Sequence, residues 1–368
     1  MITLDIRPLQ DRTRSGVGYY TAHIIKTLAE RARHQYALFG NSATIANNDT
    51  PCGPSTEKRF FRIPNKLLNC AWSTIRYPVL ENLIPETTLS YLPNINFFAS
   101  YKPYIVTVHD LSFEHFPEFF SPKQRLWHTA VRPKKLLTEA THIVAVSKHT
   151  KHDIIETYHI DPSRITVAYP AADKTFFPQS ENATADIRKK YDLPEKFILS
   201  LGTNEPRKNI SGIVDAYEKT DTNADLVIAG GAGWRSKKLF EQIIASPKQK
   251  SIHVLGYIDE VDRPALYTSA HAFVYPSFYE GFGMPVLEAM ACGTPVIASH
   301  TSSIGEVVAD AGLLINPHRT NELIFALNTI TNDDILHKKF ATTSLNKSKK
   351  FSWEKSAEIL ESLFQKSH

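Results

Sequence analysis

Short apolar runs separated by helix-length segments recur along the whole 368-residue chain, and this alternation constrains the fold more than any other feature. Ile2 to Ile6, Tyr104 to Val108, His142 to Ser147, Ile165 to Tyr169, Phe197 to Leu201, Leu226 to Ala229, Ile252 to Gly256, His271 to Tyr275, Pro295 to Ala298 and Gly312 to Pro317 each read as a short strand. Ser302 to Val307 is read with them as completing the last sheet. Strands that alternate with helices pair in parallel, because each crossover needs a helix to return the chain to the same end of the sheet. The expected class is therefore α/β. At this length, with 42% hydrophobic residues, there is material for two cores. The boundaries expected are 1–175, 176–350 and a terminal segment 351–368, with Pro170 to Pro194 as the transition. Tyr19 to Ala32 reads as a helix, Lys66 to Leu83 as one or two helices interrupted by Pro78, and the Asn/Thr/Pro-rich residues 41–57 as a loop.

The densest chemical signal is SFYEGFGMPVLEAMACGTPVIAS, Ser277 to Ser299, which reads as a loop feeding a helix. Gly281 and Gly283 let the backbone turn sharply and approach a ligand, and Pro285 suits the first turn of a helix. The amides at such a helix start carry roughly half a positive charge and attract anions. Glu280 precedes the helix and Glu288 lies eight positions on. As bare residues they fit a solvated loop acid and a helix-surface acid equally well. Arg207 and Lys208 lie in GTNEPRKN after the Phe197 to Leu201 strand, where a fork and a point charge can meet a diphosphate. As loop residues they are expected at the surface.

Other candidates lie in the first half. Ile2 to Ile6 is followed by RTRSGVGYY, in which Gly16 and Gly18 form half of a phosphate-binding fingerprint; with no third glycine, a dinucleotide-dependent oxidoreductase is disfavoured. His109 and Asp110 end the Tyr104 to Val108 strand, and carboxyl ends of strands are where open α/β sheets bind ligands. Pro122 to Glu139 mixes Trp127, Leu136 and Leu137 with five basic residues and reads either as an interfacial element or as a solvated helix face. The net charge of +4 is carried by the first 175 residues, which suits an anionic lipid surface or a phosphate-linked acceptor. No nucleic-acid motif accompanies it. Cys52, Cys70 and Cys292 form no C-x-x-C pair, which suits a reducing cytoplasm. The charged start, with Asp5 and Arg7, is a strand pattern and not a leader.

E-G-F-G-M-P-x-x-E-A-M-A-C-G-x-P-V-I-A resembles the E-x7-E signature of retaining glycosyltransferases of family 4, and H-D-L-S-F-x-x-x-x-P-E and E-P-R-K-N resemble bacterial mannosyltransferases of that family. The resemblance implies a GT-B fold, two Rossmann-like domains facing across a cleft, the last segment crossing back to the first. It implies hexosyl transfer with retention from a nucleotide diphosphate sugar to an acceptor hydroxyl. GDP-mannose is the expected donor, with UDP- or dTDP-sugars and a non-catalytic sugar-nucleotide-binding protein as alternatives. The acceptor implied is a glycan or a polyprenyl-diphosphate-linked glycan of a polysaccharide such as O-antigen. By the same resemblance His109 and Glu280 are catalytic, beside the donor hexose, and Glu288 binds the ribose. Arg207 and Lys208 clamp the diphosphate, and Gly16, Gly18, Gly281, Phe282 and Gly283 line the donor site. The turn at Gly256 and Tyr257 lies by the base. One position departs from the family pattern: Thr203, not Arg, follows Gly202, which leaves more of the charge to Arg207. No D-x-D occurs in the sequence, so the expectation is a metal-independent, cofactor-free enzyme in the cytoplasm, peripheral on the inner membrane face.

Overall fold

The computed structural model describes residues 1–10, 15–41, 53–231 and 236–367. Most of the expected loop 41–57, the segment Arg12 to Arg14, Cys52 and Gly233 lie outside the described residues. The chain forms two compact units, Met1–Pro170 with Ser352–His368, and Ala171–Phe351.

The first unit is built on seven strands: β1 (Ile2–Asp5), β2 (Tyr36–Asn41), β3 (Thr56–Phe61), β4 (Leu89–Leu92), β5 (Tyr104–Val108), β6 (His142–Ala145) and β7 (Ile165–Val167). Their order is β3-β2-β1-β4-β5-β6-β7, with every neighbour parallel. All residues of β1, β2, β4 and β5 are buried, as expected of strands covered by helices on both faces. β2, β3 and β4 are absent from the sequence reading. They are four to six residues long, and so short an apolar run does not distinguish strand from buried helix. β3 is moreover a half-exposed edge strand with charged residues.

The first helix, Gly16–Arg31, is capped by Ser15, whose hydroxyl accepts from Gly18 N at 3.3 Å. The Lys66 to Leu83 segment forms helices Asn65–Thr74 and Leu80–Leu83 on either side of Pro78. Pro122 to Glu139 is likewise two helices, Pro122–Val131 and Pro133–Glu139, separated by Arg132 at φ 54°. Leu136 and Leu137 belong to the core, so only Leu126 (71% exposed) and Trp127 (36%) remain as outward apolar residues of that segment.

The second unit has β8 (Phe197–Leu201), β9 (Asp225–Ala229), β10 (Ile252–Gly256), β11 (Ala272–Tyr275), β12 (Val296–Ser299) and β13 (Leu313–Ile315). The order is β10-β9-β8-β11-β12-β13, again all parallel. The stretch Ser302 to Val307 is not a strand: Ile304–Val308 is a short helix after β12. Ile304, Val307 and Val308 are its buried residues, a spacing of three and four that suits one helix face. In each sheet the order reverses beside the first strand, between β1 and β4 and between β8 and β11. Chain leaving the carboxyl ends of two such strands diverges to opposite faces and leaves a crevice, where open α/β sheets take ligands. Among the described residues no helix is long and apolar enough to cross a membrane.

Candidate active site

In the second unit the strands at the reversal, β8 and β11, release the two loops that carry the sequence candidates. After β8 the chain makes a 3-10 turn, Pro206–Lys208, and Asn209 in the left-handed region starts the helix Ile210–Tyr217. After β11 it runs through Glu280 to Gly283, at φ 97° and ψ 50°, which begins the helix Met284–Ala291. A Cβ on Gly283 would have room, but the positive φ favours glycine there. The loops are joined by the backbone: Phe278 N donates to Arg207 O at 2.9 Å.

Glu280, Arg207 and Lys208 form one cluster. Arg207 Nη1 lies 2.6 Å from Glu280 Oε2, and Lys208 Nζ donates to Oε1 at 2.6 Å. Arg207 Nη1 also donates to Tyr279 O at 2.8 Å. The expectation of solvated loop cations is therefore corrected: the side chains of Arg207 and Lys208 are only 17% and 13% exposed, because a buried carboxylate draws them in. Burial by itself pushes the Glu280 carboxyl up, but Arg207 and then Lys208 outweigh it and hold it at about 2. Burial and the Arg207 charge both lower the Lys208 ammonium, with Glu280 opposing them.

Three hydroxyl residues after β12 fix the loop around Glu280. Ser302 Oγ accepts from Glu280 N at 3.0 Å, Ser303 Oγ donates to Glu280 O at 2.8 Å, and Thr301 Oγ1 donates to Phe278 O at 3.1 Å. Sequence reading took Ser302 and Ser303 into the stretch completing the last sheet and gave Thr301 no role, although three hydroxyls one residue after a strand are a legible loop signal.

Glu288 sits on the helix that Gly283 opens. It is 4% exposed and receives a hydrogen bond from Tyr267 at 3.0 Å. Burial pushes its carboxyl up to about 7, against the pull of Arg263. The bland reading of a helix-surface acid is thus excluded by burial. Phe282 is also buried, its ring edge against Phe351 at 5.6 Å. Tyr267 is a partner that nothing in the sequence marks.

In the first unit the reversal brings the start of the Gly16–Arg31 helix and the end of β5 together. Tyr20, on that helix, places its ring edge-on to His109 at 4.8 Å. His109 Nε2 lies 2.8 Å from Pro93 O, at the end of β4. A carbonyl only accepts, so Nε2 carries the hydrogen and Nδ1 of the neutral ring keeps its lone pair. Burial lowers the His109 pKa, with the Pro93 carbonyl and Asp110 opposing, so the neutral ring is favoured. Gly18 is buried in the first turn, and Gly16 is exposed, with space around it.

Two family models match the chain: "Glycosyltransferase Family 4" over residues 14–176 and "Glycosyl transferases group 1" over residues 183–347. O-antigen chain mannosyltransferase B of Escherichia coli is 35% identical over 363 residues, covering 92% of this chain and 93% of that one. Among solved structures, sucrose-phosphate synthase from Thermosynechococcus elongatus superposes with a TM-score of 0.76 at 21% identity, covering 99% of this chain and 98% of that one. Anabaena HepE in complex with UDP and glucose does so with 0.76 at 18%, covering 99% of each. These two likenesses concern the fold.

Proposed function

The chain belongs to the glycosyltransferases of family 4, with the GT-B fold, and from that membership we propose that it transfers an α-mannosyl residue, with retention, from GDP-mannose to an acceptor hydroxyl. The acceptor in this reading is a growing glycan, free or polyprenyl-diphosphate-linked, of an O-antigen-type polysaccharide. The observation that carries the reading is the buried Glu280–Arg207–Lys208 cluster at the β8/β11 reversal, in a chain 35% identical along nearly its full length to an O-antigen mannosyltransferase.

A nucleotide diphosphate is a dense anion, and two cations already held at the mouth of a parallel sheet need little reorganisation to receive it. Arg207 and Lys208 would take the diphosphate and stabilise it as it leaves. The start of the Met284–Ala291 helix adds its partial positive charge. Glu288 would accept from the ribose hydroxyls, and Glu280 would orient the hexose. His109, with Nδ1 as acceptor, would contact the reacting sugar. Attack from the face the diphosphate leaves, with a phosphate oxygen taking the acceptor proton, accounts for retention without an enzymic nucleophile. No D-x-D is available to hold a divalent ion on the diphosphate, so the reaction is proposed to run without metal.

The test is differential binding and turnover. GDP and GDP-mannose at a hundredfold excess over Kd should stabilise the protein by about 2.7 kcal/mol, with UDP-sugars at equal concentration doing markedly less. Transfer should survive EDTA. A preference for UDP-sugars would overturn the donor, and loss of transfer restored by Mn²⁺ would overturn the metal-free step. The outward Leu126 and Trp127, beside Lys123 and Arg125, support contact with an anionic membrane surface. Co-sedimentation with anionic but not with neutral vesicles, weakened in Trp127→Ala, is the expected result; equal sedimentation with both would remove that contact.

A further inference from the structure

β11 ends on Tyr275, a residue to which neither the signature nor the charge pattern gives a role. It is 2% exposed, yet its phenol reaches into the charged cluster. The hydroxyl accepts a hydrogen bond from Lys208 Nζ and donates one to Glu280 Oε1 at 3.0 Å. Nζ lies 4.9 Å from the ring centroid, beyond the hydroxyl end of the ring.

A lysine head on a flexible four-carbon stem has no direction of its own. Glu280 fixes it, but as an anion it competes with a phosphate for the same charge. Tyr275 attracts the ammonium without neutralising it: burial and the neighbouring Glu280 raise the phenol well above its ordinary value, so it stays protonated. Other charges facing Lys208 are Arg207 and Glu205, both on its own loop. Both of its off-loop partners, Tyr275 and Glu280, come from β11 and the loop that follows it.

We infer that Tyr275 is a positioning residue of the diphosphate site: its hydroxyl holds the Lys208 ammonium in line and also fixes Glu280, so that the cation stays aimed when phosphate oxygens replace part of its ion pair. The inference rests on the reading of Arg207 and Lys208 as the diphosphate clamp. The experiment is a calorimetric double-mutant cycle on the full chain with Tyr275→Phe and Lys208→Gln. Its probes are GDP with GMP and UDP with UMP, and the pair whose diphosphate the wild type binds more tightly is the one scored. Tyr275→Phe should bind the diphosphate about tenfold more weakly, the worth of one hydrogen bond to a charged group. It should bind the monophosphate as the wild type does. In the Lys208→Gln background, Tyr275→Phe should cost nothing further. Equal losses for diphosphate and monophosphate would mark a packing defect and overturn the inference. Unchanged diphosphate binding in Tyr275→Phe beside a weakened Lys208→Gln would overturn the positioning role alone. Unchanged binding in Lys208→Gln would overturn the clamp reading and the positioning role with it.

Discussion

Two carboxylates eight residues apart sit in opposite electrostatic states. Glu280 is buried among cations and held at about 2, whereas Glu288 is buried with a tyrosine and pushed up to about 7. The signs follow from linkage. Glu280 has a folded pKa below its ordinary 4.5, so its stabilisation is present above pH 4.5 and is lost as pH falls toward 2. Glu288 has a folded pKa above 4.5, so the folded state is favoured at low pH and loses stability as pH rises from 4.5 to about 7. Glu288→Gln keeps an acceptor for Tyr267 and removes the ionisation. It is expected to raise stability by about 3 kcal/mol at pH 8 and to change little at pH 4.5, while weakening nucleotide binding. Thermal melts of both proteins at the two pH values check this, and equal melting temperatures at pH 8 would refute the strained-carboxylate account. The pair itself was legible in the sequence, because the glycines and the proline between the two acids announce a loop and a helix start. Their states were not legible. Lys208 lies 72 residues from Glu280, and Tyr267 lies 21 from Glu288, so only the folded chain brings these partners together.

The elements that carry the site depend on how closely neighbouring strand ends approach. Gly202, Gly230 and Gly256 follow or end β8, β9 and β10, and their backbones interlock. Gly202 N donates to Ala229 O at 3.0 Å and Gly230 N to Gly256 O at 2.6 Å. A Cβ on Gly230, at φ 129°, would lie 2.0 Å from Gly202 O, a distance no real contact permits. A Cβ on Gly231 would meet nothing within 4 Å. Gly230→Ala should therefore cost about 3 kcal/mol and displace the loop bearing Arg207 and Lys208, whereas Gly231→Ala should stay within about 0.5 kcal/mol. Denaturant unfolding together with nucleotide titration of both variants distinguishes them, and similar midpoints would mean that the backbone accommodates the methyl. The alternation of apolar runs exposed β5, β6, β8 and β11 before any coordinates, since their ends are marked by Gly, Pro or a polar pair. It passed over β2 to β4 and turned the helix Ile304–Val308 into a strand. At four to six residues an apolar run is compatible with both periods, and only the neighbouring strands or the buried face decide.

At the scale of the whole chain, the second unit is a single continuous stretch, and the first is assembled from both ends of the sequence. The terminal segment was set apart in the sequence reading as residues 351–368, but the residues that hold it were not legible there. Trp353, Leu360, Leu363 and Phe364 of the helix Trp353–Lys366 are buried, Glu361 is 3% exposed against Arg31 at 3.0 Å, and Ser356 bonds to Tyr169 O. Burying four large apolar side chains is worth on the order of 8 kcal/mol at about 2 kcal/mol each. That is comparable with the total of about 5–15 kcal/mol that holds a domain folded. Loss of the helix also leaves Arg31 without its buried partner. The clamp, Glu280 and Glu288 all belong to the continuous unit, which contains none of these residues. Ending the chain at Phe351 is therefore expected to abolish the unfolding transition of the first unit in calorimetry and to leave that of the second in place. The truncated protein should still bind the nucleotide diphosphate and should transfer no sugar, because His109 lies in the unit that no longer folds. Retention of both transitions would show that the terminal helix is dispensable to the first core, and loss of both would show that the second unit does not hold its donor loops alone.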